Sequence, residues 1–357
     1  MEYKILVINP GSTSTKIAIF KNEERILLEN VQHSAEELSK FPDSPSQLPL
    51  RRDNIIKFLD DNGYSIDDFD VFVGRGGGLS PCEGGTYAAN GLLIEHAGST
   101  LFVNHPASLG SVLANEFAQK NCVPAFMVDP PDTDEFEPVA RITGLKNVER
   151  QSRLHALNQK EVARTVAKQM GKTYKDINVV VAHLGGGISI GAHKKGLVID
   201  SSDVIRGEGP MAPTRSGALP AKSILDLCYS GDYTEKEMYD LIGRNGGIVD
   251  HLGTSDLRDV EKMMNDGDEY AQLVYDALIY QIAKTIGAMS TVLFGDVDAI
   301  ALTGGISYSK YLVESVTERV CSIAPVLVFP GEFEMEALAN GALRALRGEE
   351  EVKIYRG

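Results

Sequence analysis

Three short stretches of small and polar residues hold most of the groups in this sequence that could do chemistry. They are Asn9-Pro10-Gly11-Ser12-Thr13-Ser14-Thr15-Lys16, His183-Leu184-Gly185-Gly186-Gly187 and Thr303-Gly304-Gly305-Ile306-Ser307. A turn built of glycine, hydroxyls and one lysine suits a polyanion: backbone N–H groups converge on it, hydroxyls donate, and an ammonium adds charge. Taken alone, the first stretch serves equally as an ordinary hairpin loop. A helix-led phosphate loop does not fit it, because a strand pattern follows the turn.

Basic residues stand near these turns. Arg75 precedes Gly76-Gly77-Gly78, which leaves its guanidinium little side-chain bulk around it. Arg206 and Arg215 lie in Val204–Pro220, a Gly- and Pro-rich loop long enough to be functional. His105, His155 and His183 fall at element boundaries, and Asp129 ends an apolar run, where α/β proteins place functional side chains. A turn-capping role fits Asp129 as well. There is no Ser/His/Asp or Cys/His grouping and no zinc-ligand spacing. Phosphoryl transfer fits the inventory best, since it asks the protein for positioning and cationic groups rather than covalent chemistry.

The elements that must hold these residues follow from periodicity. Lys4–Phe20 reads as a buried strand, a turn and a second strand alternating at period two, and Glu24–Val31 as a third strand. Three prolines make Phe41 to Leu50 a loop, and a helix follows over Arg51–Asn62. Asp70–Gly74 reads as a strand, Pro106 to Lys120 as a helix and Val123 onward as a strand entering a Pro- and Asp-rich turn. A helix from about Arg153 to Met170 precedes Ile177–Ala192, whose order of apolar strand, glycine turn and alternating strand repeats the opening of the chain, with Leu197–Ser201 after it. His183 falls 174 residues after Asn9, too far for a solenoid repeat and apt for a duplicated domain. Asp268–Leu293 is the longest amphipathic helix pattern, Ala299–Leu302 and Val326–Phe329 are strands, and Glu334 to Arg347 is a closing helix.

The chain has 357 residues, enough for two domains, and a formal net charge of −15. That charge argues against nucleic-acid or anionic-membrane partners, which need a basic face. Four scattered cysteines, no signal-peptide pattern and no apolar run of membrane-spanning length predict a reduced, cytoplasmic protein.

Taken together, these stretches resemble the acetate and butyrate kinases, carboxylate kinases of the actin-like ATPase superfamily. The resemblance is carried by Asn9–Lys16, Asn104-His105-Pro106-Ala107, His183–Gly187, Pro213-Thr214-Arg215-Ser216-Gly217, Thr254-Ser255-Asp256-Leu257-Arg258-Asp259 and Thr303-Gly304-Gly305-Ile306. They run in family order over nearly the whole chain. Within the family the chain is most similar to the butyrate kinases, through His183–Gly187 and the closing stretch Pro330–Leu346.

The resemblance implies an α/β fold of two similar actin-like ATPase (ribonuclease H-like) domains, with mixed sheets flanked by helices and the active site in the interdomain cleft. It divides the chain into 1–137 plus 335–357, with the first phosphate turn and acyl pocket, and 138–334, with the second turn, the adenosine site and a dimer interface. It implies reversible in-line transfer from ATP to a short-chain acid, butyrate or a branched one such as isobutyrate, with Mg²⁺, in a homodimer or higher oligomer. Acetate or propionate kinase activity, or a non-catalytic nucleotide switch of the same superfold, are the alternatives. Residue by residue, Asn9, Ser12, Ser14 and Lys16 would form the first phosphate turn, and His183 with Gly185, Gly186 and Gly187 the second. Arg75 and Arg215 would clamp the acyl carboxylate and the migrating phosphoryl group, with His155 donating to that group and Asp129 catalytic. Asn9, Asp129 and Glu336 would lie at Mg²⁺, with Glu334 near enough to be confused with Glu336. Asp256, Arg258, Gly304, Gly305 and Ile306 would bind adenosine. His105 lies in the substrate pocket with Gly77, Asn104 and Leu154; the last three stand where acetate-specific members carry bulkier apolar residues, so the acyl pocket is expected to be larger.

Overall fold

The computed structural model describes all 357 residues, Met1 to Gly357. It separates into two compact units, one made of Met1–Asp134 with Phe333–Gly357 and one of Glu135–Glu332.

In the first unit, β1 (Lys4–Pro10) pairs antiparallel with β2 (Ser14–Lys21), from Lys4↔Lys21 to Pro10↔Thr15, and β3 (Glu24–Gln32) adds to β2. Ile5 to Ile8 are all fully buried, so the unbroken apolar run marks a strand covered on both faces. β4 (Val71–Gly74) and β6 (Ala125–Val128) extend the sheet in parallel beyond β1, and β5 (Thr86–Ala88) closes the edge, giving the order β3-β2-β1-β4-β6-β5. Helix α1 spans Leu48–Asp61, beginning inside the stretch that its prolines mark as a loop. Pro49 sits in the first turn, where the N–H it lacks would have no helical partner anyway. α2 (Leu109–Asn121) packs on β1, β4 and β6, as does the closing helix Glu334–Leu346, which rejoins this unit.

The second unit repeats the plan. β7 (Asn178–Leu184), β8 (Ile188–Lys194) and β9 (Leu197–Ser201) form an antiparallel meander, and β10 (Ala299–Gly304) and β11 (Val326–Pro330) run parallel beyond β7, giving β11-β10-β7-β8-β9. Strand alternation divides β7 between two faces. Val180, Ala182 and Leu184 enter a core built with Leu278, Ile282 and Ile286 of the long helix Glu269–Val292. His183 points the other way, toward α3 (Ala156–Gln169), whose Asn158 reaches it. No helix is long and apolar enough to cross a membrane.

Candidate active site

The first turn is tight because Gly11 N–H donates to Ser14 C=O at 2.7 Å. Beneath it lies Arg51, a fully buried guanidinium that sequence reading did not single out. Its Nη2 donates to Gly11 C=O at 2.9 Å, and its Nη1 to Ser14 C=O at 3.0 Å and Thr15 Oγ1 at 2.9 Å. Gln47 Oε1 accepts from Nε and Nη2, and burial pulls the guanidinium pKa down to about 10. The one signal was that Arg51 shares the apolar stripe of its helix with Ile55, Phe58 and Leu59. His105 also belongs here. Its Nδ1 accepts from Ala107 N–H, so Nε2 carries the proton toward Ser12 Oγ at 3.3 Å. Burial lowers the His105 pKa, aided by Arg75 and Arg51, which favours the neutral ring. Lys16 stands directly opposite Asn9 in the β1–β2 register.

The acid at this turn is Glu334, at the start of the closing helix. Its Oε2 accepts from Asn9 Nδ2 at 2.9 Å and pairs with Arg75 Nη1. Glu336, expected at the metal, instead pairs with Arg25 at 2.7 Å. Two residues of helix turn a side chain through about 200°, so only one of these acids can face Asn9. Asp129, fully buried just past β6, accepts at Oδ1 from Gly85 N–H at 2.7 Å and holds φ at 37°, a costly value for a residue with a side chain. No cluster of three or more His, Cys, Asp or Glu side chains forms a metal cage. Mg²⁺ keeps several waters and phosphate oxygens and needs only one or two carboxylates. Asn9 and Glu334, hydrogen-bonded to each other, carry oxygens of the kind it takes, as does Asp129 just past β6.

In the second unit, Arg215 lies directly over Gly187. A Cβ at Gly187 would fall 1.5 Å from its Nη1, so a larger residue there would have to push the guanidinium aside. Arg215 Nη1 is buried without a hydrogen-bond partner, and burial lowers the guanidinium pKa against the pull of Asp203. Such a group is a receptor for an anion. The loop is held by Thr214 Oγ1 donating to Gly186 C=O at 3.1 Å and by Val249 N–H donating to Pro213 C=O at 3.0 Å. His155 stacks on His183 with ring centroids 3.8 Å apart. Asn158 Nδ2 donates to His183 Nδ1 at 2.8 Å.

A cleft of about 720 Å³ opens beside this turn, within the range of small-molecule sites. Gly185, Gly186, Asp256, Arg258, Gly305 and Ile306 line it, as does Glu261, whose Oε1 takes the Tyr275 hydroxyl at 2.7 Å. Asp256 caps its helix through Arg258 N–H, and hydrogen bonding from the Arg258 side chain holds its carboxyl at about 2. Gly304 lies behind the cleft, packed on the backbone of Leu184.

The three expected acyl-pocket positions have different local surroundings. Leu154 packs with Ala156 and Val198 in a small core cluster of the second unit. Asn104 is exposed and accepts from Ser44 N–H at 2.8 Å. Gly77 adopts φ 148°, and a Cβ there would stand 3.3 Å from Pro131.

A model of the acetokinase family matches residues 144–341, more than half of the chain. The chain belongs to the acetokinase family. Solved structures similar to this acetokinase include the acetate kinase of Porphyromonas gingivalis, at 19% identity and a TM-score of 0.76 over 96% of this chain and 99% of that one. The propionate kinase of Francisella tularensis subsp. tularensis SCHU S4 is 17% identical, with a TM-score of 0.71 over 95% and 98%. The acetate kinase of Entamoeba histolytica is 17% identical, with a TM-score of 0.75 over 95% and 99%. At these identities the likeness is one of fold: the two-unit architecture of the actin-like ATPases, each unit a mixed sheet flanked by helices.

Proposed function

We propose that this acetokinase transfers the γ-phosphoryl group of ATP to a short-chain carboxylate, with butyrate or isobutyrate as the acceptor. The observation that carries this reading is Arg215, buried over Gly187 with an unpartnered N–H. A carboxylate oxygen of the acid attacks the γ-phosphorus as the bond to the β,γ-bridging oxygen breaks, giving acyl phosphate and ADP. No proton need move, because attacking and leaving oxygens are both anionic. In this reading the β1–β2 turn and the Gly185–Gly187 turn bind phosphates, and the 720 Å³ cleft takes the nucleoside. Arg215 and His155 donate to the equatorial phosphoryl oxygens, where charge accumulates. Arg75, which pairs with Glu334, receives the acid's carboxylate. Asn9, Asp129 and Glu334 would hold Mg²⁺, which would supply charge neutralisation at the phosphates.

The larger acid is supported by Gly77 and Asn104, which stand where acetate-specific kinases carry bulkier residues. The names of the solved neighbours, acetate and propionate kinase, favour a smaller acid as the second reading. Hydroxylamine trapping of product from acetate, propionate, butyrate and isobutyrate separates the two. One methylene is worth only about 1–3 kcal/mol, so neighbouring acids should react at rates within ~10–200-fold of each other. No hydroxamate from any of them would end the proposal. A nucleotide switch would need neither Arg75 nor Arg215. A homo-oligomer through the second unit belongs to the same proposal: helix Ala221–Tyr229 buries none of its residues and exposes Leu225 and Tyr229. Light scattering tests it.

A further inference from the structure

Behind His155 runs a line of hydrogen bonds that none of the roles above requires. It starts at Ser189 on β8, whose Oγ lies 2.7 Å from His155 Nδ1. Two donors already converge on that oxygen, the His155 backbone N–H at 3.3 Å and Gln159 Nε2 at 2.8 Å. The Gln159 amide is oriented independently, because Nε2 also donates to the Ser189 carbonyl at 3.0 Å, and a carbonyl can only accept. With both lone pairs of Ser189 Oγ engaged, its own proton goes to His155 Nδ1. The imidazole therefore accepts at Nδ1 and carries its proton at Nε2.

The line continues outward. Gln159 Oε1 accepts from His193 Nε2 at 3.0 Å, and a neutral His193 then accepts at Nδ1 from the Tyr174 hydroxyl at 2.7 Å. Ser189, Gln159 and His193 are fully buried, so water does not compete for these protons. Every proton points the same way, from Tyr174 through His193, Gln159 and Ser189 to His155. Hydrogen bonds aligned in this sense polarise one another. The strand makes room for the line: a Cβ at Gly191 would stand 2.5 Å from Gln159 Oε1.

We propose that Ser189, Gln159, His193 and Tyr174 are positioning residues that hold His155 as an Nε2–H donor to the phosphoryl group in transfer. The identity of the acceptor rests on the function proposed above, whereas the tautomer stands on the geometry alone. A phosphoryl oxygen only accepts, so an imidazole with a bare Nε2 would repel it.

The test is ¹⁵N NMR of histidine-labelled protein, with His155 assigned by its loss in His155→Gln. The expected spectrum shows an unprotonated Nδ1 and a protonated Nε2, and Gln159→Glu, which cannot donate to Ser189, shifts His155 away from that state. Kinetically, Ser189→Ala should lower kcat about 10- to 100-fold, part of the loss seen when one donor to developing charge is removed. KM for nucleotide and acid should stay within about threefold, and Ser189→Thr should restore most of kcat. His155 protonated at Nδ1 in the native protein overturns the proposal, as does Ser189→Ala with tautomer and kcat unchanged. If Ser189→Ala does not fold, the native spectrum alone decides. If no acid is phosphorylated, the functional reading fails while the NMR result still settles the tautomer.

Discussion

Arg51 and Arg215 are both buried cations, yet they are bound in opposite ways. Arg51 is saturated by the carbonyls of the first turn, by Thr15 and by Gln47, so its work is to shape backbone. Arg51→Met should cost about 3–5 kcal/mol in urea denaturation, because several buried acceptors lose their donor at once. Arg215 keeps an N–H without a partner, which the proposed function assigns to the phosphoryl group. Arg215→Ala should lower kcat about 10²–10³-fold while nucleotide affinity, measured by calorimetry, changes less than about threefold. Two histidines of the first unit, His33 and His105, have pKa values lowered from 6.5, chiefly by burial. Protons therefore bind the unfolded chain first. Stability is full above pH 6.5 and falls as pH drops below it, and thermal melts between pH 7 and 5 should show the loss shrinking in His33→Gln.

At the scale of elements, Gly187 and Glu334 show what a turn and a helix impose on their neighbours. Gly187→Ala should displace Arg215 and reduce kcat nearly as far as Arg215→Ala, with the fold intact by circular dichroism. Glu334→Gln should raise the Mg²⁺ concentration needed for half-maximal rate at least tenfold, whereas Glu336→Gln, which loses a surface pair to Arg25, should cost under about 1 kcal/mol of stability. The two meanders were legible because an unbroken apolar run, a small-residue turn and a period-two strand have few other ways to fold. The contrast between Glu334 and Glu336 was not, since it depends on where the helix begins and how it is rotated on β1. Leu154 and Asn104 were likewise illegible: what each touches is set by Val198 and Ser44, far away in sequence. Arg51 left a trace only as a charge in an apolar stripe, and Gln159 left none, being one polar residue of a helix whose neighbours are polar too.

For the whole molecule, the repeat is visible in the sequence 174 residues apart, and the structure supplies matching strand orders, β3-β2-β1-β4-β6 and β9-β8-β7-β10-β11. Composition could not show that the first unit is assembled from two separated segments; only the family resemblance implied it. A chain ended after Glu332 should keep the core around Ile282 and lose the cooperative unfolding of the first unit, because the closing helix covers β1, β4 and β6.

That discontinuity sets an order of events during synthesis. The second unit is contiguous and can fold as soon as Glu332 leaves the ribosome, but the first must wait through 198 residues between Asp134 and Phe333. At about 5–20 residues per second, that is a pause of roughly 10–40 s in which the central strand β1 lacks its covering helix. Pulse proteolysis of stalled nascent chains should find residues 1–134 cleavable until the segment bearing Glu334 has emerged. The unit whose first residues leave the ribosome earliest is thus the last to become structure.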